Sequence, residues 1–166
     1  NGNKTALKRV EGIVQKELFF LDGDVRDFEF LNRFFAHERC ASVIHFAGLK
    51  SVGESNALPL KYYDNNVSGT VSLLKAMEAN NLKQLVFSSS ATVYGTPDEL
   101  PIPETAPTST INPYGQSKLL VEKILVDVAK ADPDWKIANL RYFNPAGAHF
   151  SGLIGEDPKD IPNNIM

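Results

Sequence analysis

Short apolar blocks alternate with longer amphipathic stretches along this chain, and that alternation constrains its fold more than any other feature. Val43-Ile44-His45-Phe46, Leu85-Val86-Phe87 and Ile137 to Tyr142 are β-rich runs, and Leu18-Phe19-Phe20-Leu21 is a further apolar block ended by Asp22-Gly23-Asp24. Each reads as a buried strand. Between them lie segments with helical periodicity. Asp27 can cap a helix carrying Phe28, Leu31 and Phe34/Phe35. Leu60, Tyr63, Val67, Val71, Leu74 and Met77 predict one long helix from Pro59, stopped by Asn80-Asn81. A last helix is predicted from about Tyr114, with Leu120/Val121, Ile124/Leu125 and Val128 on one side. Five prolines between 97 and 113 exclude a regular element there. Strand and helix in alternation predict parallel βαβ units, an α/β doubly wound sheet with helices on both faces. In such sheets ligands bind beyond the carboxyl ends of the strands. Asp24, Ala47-Gly48, Ser88 to Ser90 and Phe143-Asn144 are therefore expected to converge on one crevice.

Composition removes several classes of function. With 17 basic and 20 acidic residues the net charge is −3, which offers no basic face for nucleic acid. Cys40 is the only cysteine, so neither an internal disulfide nor a multi-thiolate zinc site can form. His37, His45 and His149 are too scattered to hold a metal. No run approaches the roughly 20 apolar residues of a membrane helix, and no targeting segment is evident, so a cytoplasmic setting is expected. Asn3-Lys4-Thr5 and Asn66-Val67-Ser68 match the glycosylation pattern by chance on that reading. There is no G-x-G-x-x-G and no G-x-S-x-G, and neither Gly48/Gly53 nor Gly147/Gly152 is followed by the lysine of a P-loop.

One constellation survives. Tyr114 and Lys118 stand four residues apart at a helix start, hence on one face about a turn apart. A phenol titrates near pH 10 and is a poor base at neutral pH, but a fixed ammonium beside it favours the phenolate. Ser90, at the end of a strand, could complete a hydrogen-bonded triad. The competing reading is that a Tyr-x-x-x-Lys pair is common on helices and Asn-Pro-Tyr is ordinary capping. His45 inside an apolar strand reads as a core histidine with a partner rather than a ligand. Asn65-Asn66 in mid-helix is unfavourable by propensity and reads as a buried, partnered amide.

The segments HFAGLKSVGES (45–55), YYDNN (62–66), FSSSATVYG (87–95), NPYGQSK (112–118), LRYFNPAGAH (140–149) and GEDPKDIPNN (155–164) span almost the whole chain. In order and spacing they resemble the extended short-chain dehydrogenase/reductase family. The resemblance implies a partial NAD-binding Rossmann-like domain over 1–150 and the start of a substrate-binding region over 151–166. It implies that the family's first strand and glycine loop, and its C-terminal lobe, lie outside this chain. By position, Asp24 and Val25 would flank adenine, while Phe46, Ala47, Gly48, Lys50 and Asn65 would line the cofactor's diphosphate and ribose. Ser88 and Ser90 would lie by the nicotinamide and the sugar, with Phe143 packing near the nicotinamide. Tyr114 would be the acid/base, Lys118 would hold the ribose and tune it, and Lys50, Asn144 and Asn164 would help bind the UDP-sugar. The activity implied is an isomerase reaction of galactose metabolism: NAD-dependent epimerisation at C4 between UDP-glucose and UDP-galactose through a 4-keto sugar. Full-length relatives are expected to be homodimers. Two rivals are a sugar-nucleotide dehydratase, against which Ala91-Thr92 stand where an acid is needed, and a non-catalytic nucleotide-binding piece.

Overall fold

The computed structural model describes residues 4–155. They fall in two compact units, Gly23–Phe143 and, in the other, 4–22 with 144–155. The larger unit holds α2 (Phe28–His37), β1 (Val43–His45), α3 (Val52–Ala57), α4 (Pro59–Tyr62), α5 (Gly69–Ala79), β2 (Gln84–Ser90), α6 (Pro113–Ala131) and β3 (Lys136–Tyr142). The smaller one holds α1 (Lys4–Val14).

The three strands form one parallel sheet in the order β1-β2-β3, as the alternation predicts. His45 pairs with Phe87 and Ser90 with Tyr142, so all three carboxyl ends open on the same side. Buried Leu73, Leu74 and Met77 of α5 and Val121 and Leu125 of α6 pack with Leu85 and Phe87 of β2 and with Trp135. At roughly 1.5–3 kcal/mol per buried large apolar side chain, this cluster is the main source of the unit's stability. Leu31 and Phe35 of α2 add a partly buried fringe. These helices cover one face of the sheet; on the other, Ile44 is 61% exposed and Leu140 and Tyr142 are also open.

Local chemistry sets the helix ends. Asp27 Oδ1 accepts the Phe30 amide (2.9 Å) and caps α2, as predicted. Asn112 Oδ1 accepts the Gly115 amide (2.8 Å), which starts α6 at Pro113. The proline-rich stretch is irregular, and its return is seated on Gly95. With φ +63° and the Ser109 carbonyl 1.7 Å from where a Cβ would stand, only glycine fits there.

Two expectations fail. Leu18-Phe19-Phe20-Leu21 forms no strand, and Phe19 is 70% exposed. An apolar run becomes a strand only where a neighbouring ladder takes up its amides, and here the Leu18 amide goes to the Glu11 side chain instead. The long helix from Pro59 is not continuous either. A π-helical turn, Tyr63–Ser68, separates α4 from α5 and contains the two asparagines that fit a regular helix poorly.

In the smaller unit, Glu11 Oε1 accepts the Leu18 amide (3.0 Å) and Arg9 donates to the Leu153 carbonyl (3.1 Å). Among the described residues no helix is long and apolar enough to cross a membrane.

Candidate active site

The site lies where the strands end. β1 runs out at His45 into Phe46-Ala47-Gly48, β2 into Ser88-Ser89-Ser90, and β3 into Tyr142-Phe143. The Phe46 and Tyr142 rings face each other at 6.4 Å between centroids. The N-terminal part of α6 carries Tyr114 and Lys118, both buried, and Lys118 reaches the end of β2.

Lys118 is the best defined of these groups. Its Nζ donates to the Ser88 carbonyl (2.7 Å) and sits 4.9 Å above the Phe87 ring. Burial pulls the ammonium down to about 8, so it is still mostly charged at pH 7. The carbonyl and the ring face compensate part of its desolvation. A Cβ on Gly48 would stand 3.5 Å from this Nζ and 3.4 Å from Asn66 Oδ1, so the missing side chain leaves that amine uncovered. Ser90 is buried, and its Oγ accepts from the Thr92 amide (3.2 Å) and the Thr92 hydroxyl (2.9 Å). The Thr92 carbonyl in turn is 3.1 Å from the Cβ position of Gly115, next to Tyr114. Ser90, Tyr114 and Lys118 thus sit on elements in direct contact.

The resemblance puts Asn65 at the cofactor pocket; in the structure the fully buried amide of the pair is Asn66. Asn66 Oδ1 accepts the Leu49 amide (2.8 Å), and its Nδ2 donates to the Leu49 carbonyl and Ser117 Oγ (3.0 Å each). One amide therefore clamps the loop after β1 to α6 beside Lys118. Asn65 is half-buried and donates to Asn66 Oδ1 (3.0 Å). The signal was the awkward asparagine pair itself; which of the two turns inward depends on the extra residue in the π-turn.

Asp24 is held by Arg26, whose guanidinium and amide pull its carboxyl down to about 2, and Arg26 also pairs with Asp64. Val25 packs its side chain on α5 at Gly69. Ala47, Lys50 and Phe143 are exposed and Ser88 is half-buried. Asn144 is exposed in the smaller unit, and Asn164 lies outside the described residues.

His45 is a core residue, as expected. Thr70 spends its hydroxyl proton on the Asn66 carbonyl (2.6 Å), so His45 Nε2 must be the donor across its 2.9 Å bond to Thr70. Burial, helped by the charge of Lys118, lowers its pKa to about 4. The unfolded chain takes up this proton below about 6.5 whereas the native one does so only near 4. Stability is therefore expected to fall as pH drops across that window, by at most roughly 3 kcal/mol. Urea unfolding at stepped pH checks this, and His45→Gln should flatten the slope.

A parallel sheet whose strand ends are met by a lysine from the following helix is a Rossmann-like scaffold. The chain belongs to the NAD dependent epimerase/dehydratase family, which it matches over residues 2–165. It is 58% identical over 166 residues to UDP-glucose 4-epimerase of Dictyostelium discoideum, covering 100% of this chain and 48% of that one. The Bacillus subtilis UDP-glucose 4-epimerase is 55% identical, again over 100% of this chain and 49% of its own. In structure the chain is similar to UDP-glucose 4-epimerase from Bifidobacterium longum in complex with NAD+ and UDP, with a TM-score of 0.94 and 60% identity over 99% of this chain and 49% of that one. A second neighbour, from Stenotrophomonas maltophila with bound NAD and formylated UDP-arabinopyranose, has a TM-score of 0.95 at 46% identity, over 99% of this chain and 49% of that one. The chain therefore spans about half the length of the relatives it matches.

Proposed function

We propose that the protein carrying this chain interconverts UDP-glucose and UDP-galactose by NAD-dependent epimerisation at C4, as an isomerase of galactose metabolism. The observation that carries this reading is the buried Lys118 ammonium, fixed on the Ser88 carbonyl one helical turn from Tyr114, in a chain 58% identical throughout to such an enzyme.

The residues present fit NAD. One of the Lys118 N–H groups goes to Ser88, which leaves donors for ribose hydroxyls across the open Gly48 position. Asp24 and Val25 would take the adenine, Phe46, Ala47, Lys50 and Asn65 the diphosphate and ribose region, and Phe143 the nicotinamide face. When bound, NAD supplies acceptance and return of the C4 hydride. Tyr114 takes the proton of the C4 hydroxyl and later returns it, with Ser90 as its hydrogen-bonding partner and Lys118 on the same helix face. Lys50, Asn144 and Asn164 would orient the UDP-sugar so that the planar 4-keto sugar presents either face. The domain division at about residue 150, a homodimeric assembly and a cytoplasmic location belong to the same reading.

Against dehydration, Ala91 and Thr92 follow the strand-end serine, and the neutral Thr92 hydroxyl is already committed to Ser90 (2.9 Å). Eliminating water would need an acid there. The test uses the polypeptide at the full length of its relatives, with NAD+ and UDP-galactose, and couples product to UDP-glucose dehydrogenase. Steady NADH formation is expected. No UDP-glucose, or a deoxygenated keto sugar instead, would refute the assignment.

A further inference from the structure

We propose that Glu122 is a positioning residue for the reaction just described, one that sets the register of α6 against the serines at the end of β2. The inference rests on that functional reading. Tyr114, Lys118 and Glu122 recur every four residues, so they share one face of α6. Two of them grip consecutive residues of β2. Lys118 Nζ donates to the Ser88 carbonyl, and Glu122 Oε1 accepts from the Ser89 hydroxyl. Ser90 follows immediately.

Glu122 is only 5% exposed, and its other partner is Arg141, which forks onto it with Nη2 at 2.7 Å and Nε at 3.1 and 3.2 Å. Arg141 stands opposite Ser89 in the sheet register. Its Nη1 reaches the Tyr94 hydroxyl (2.9 Å), in the 3₁₀ turn that begins right after Ser90. One carboxylate thus ties together α6, β2, β3 and that turn. A buried ion pair seldom adds net stability over an apolar replacement of the same volume, so stability alone is a poor reason for it here. What it does supply is a directional anchor. Sliding α6 along β2 by about 1.5 Å, the rise of one residue, would take Lys118 off its carbonyl and shift Tyr114, on the same face, by as much. A misplacement of about 1 Å can cost on the order of a hundredfold in rate.

Two variants of the full-length protein test this. Ser89→Ala removes the hydroxyl between β2 and α6 but leaves the Glu122–Arg141 pair whole. Glu122→Gln keeps the volume and weakens the fork. For Ser89→Ala the expected result is a fall in kcat of about tenfold or more, with KM for UDP-galactose within about twofold, bound NAD unchanged and the melting temperature within a few degrees. Glu122→Gln should lose more, on the order of a hundredfold in kcat. Wild-type kcat in Ser89→Ala overturns the inference, whether or not Glu122→Gln folds. So does a loss of kcat that merely tracks lost NAD or early melting, because general loosening would do that. If the wild-type protein itself does not epimerise, the proposed function has failed instead.

Discussion

Tyr114→Phe in the full-length protein is expected to lower kcat by roughly 10²- to 10⁴-fold, the range that a positioned acid/base contributes. KM for UDP-galactose and the amount of bound NAD should hardly change. Phenylalanine keeps the buried ring of Tyr114 at the start of α6, and the contact through the backbone, the Ser117 hydroxyl on the residue's carbonyl (2.7 Å), survives the change. Stopped-assay turnover alongside equilibrium binding checks both halves. Undiminished turnover would remove Tyr114 from the chemistry, while a parallel loss of NAD would make it a binding residue.

Arg141→Ala is expected to destabilise the larger unit by about 3 kcal/mol, the lower end of the range for breaking a buried pair. The lower end applies because the two partners are unequally buried, the Arg141 side chain being 27% exposed and that of Glu122 7%. Removing the guanidinium leaves a carboxylate inside the unit with only the Ser89 hydroxyl to answer it. Since domains are stable by about 5–15 kcal/mol, that loss is a large fraction of the whole. Urea unfolding measures it. The double replacement Glu122→Gln/Arg141→Met should recover most of the stability, because the amide still accepts from Ser89 and no charge is left unpaired. A single variant as stable as the parent would show that the pair is solvated in practice.

The elements read correctly from sequence were those whose causes are local. The Asp27 cap, the helical stripes of α2 and α6 and the β-rich runs of β1, β2 and β3 need only neighbouring residues to be recognised. The misread elements depend on distant partners. Leu18-Phe19-Phe20-Leu21 has a strand's composition but lies outside the strands, its first amide going to the Glu11 side chain. The helix from Pro59 has an unbroken apolar stripe, yet it widens into a π-turn where Asn66 meets Leu49 and Ser117, residues 17 and 51 positions away.

The same division runs through the candidate site. Residue chemistry and a spacing of four were enough to single out Tyr114 and Lys118, because a helix converts that spacing into proximity by itself. The partners of those residues were not legible. That the Lys118 amine rests on the Ser88 carbonyl, that Asn66 rather than Asn65 turns inward, and that Glu122 meets both Ser89 and Arg141 are products of packing. Sequence alone determined the alternating α/β architecture and the reactive side chains, since periodicity and covalent chemistry travel with the chain. Tertiary structure alone decided burial, hydrogen-bond partners and the lowered ammonium pKa, since desolvation exists only once separate segments close around a group.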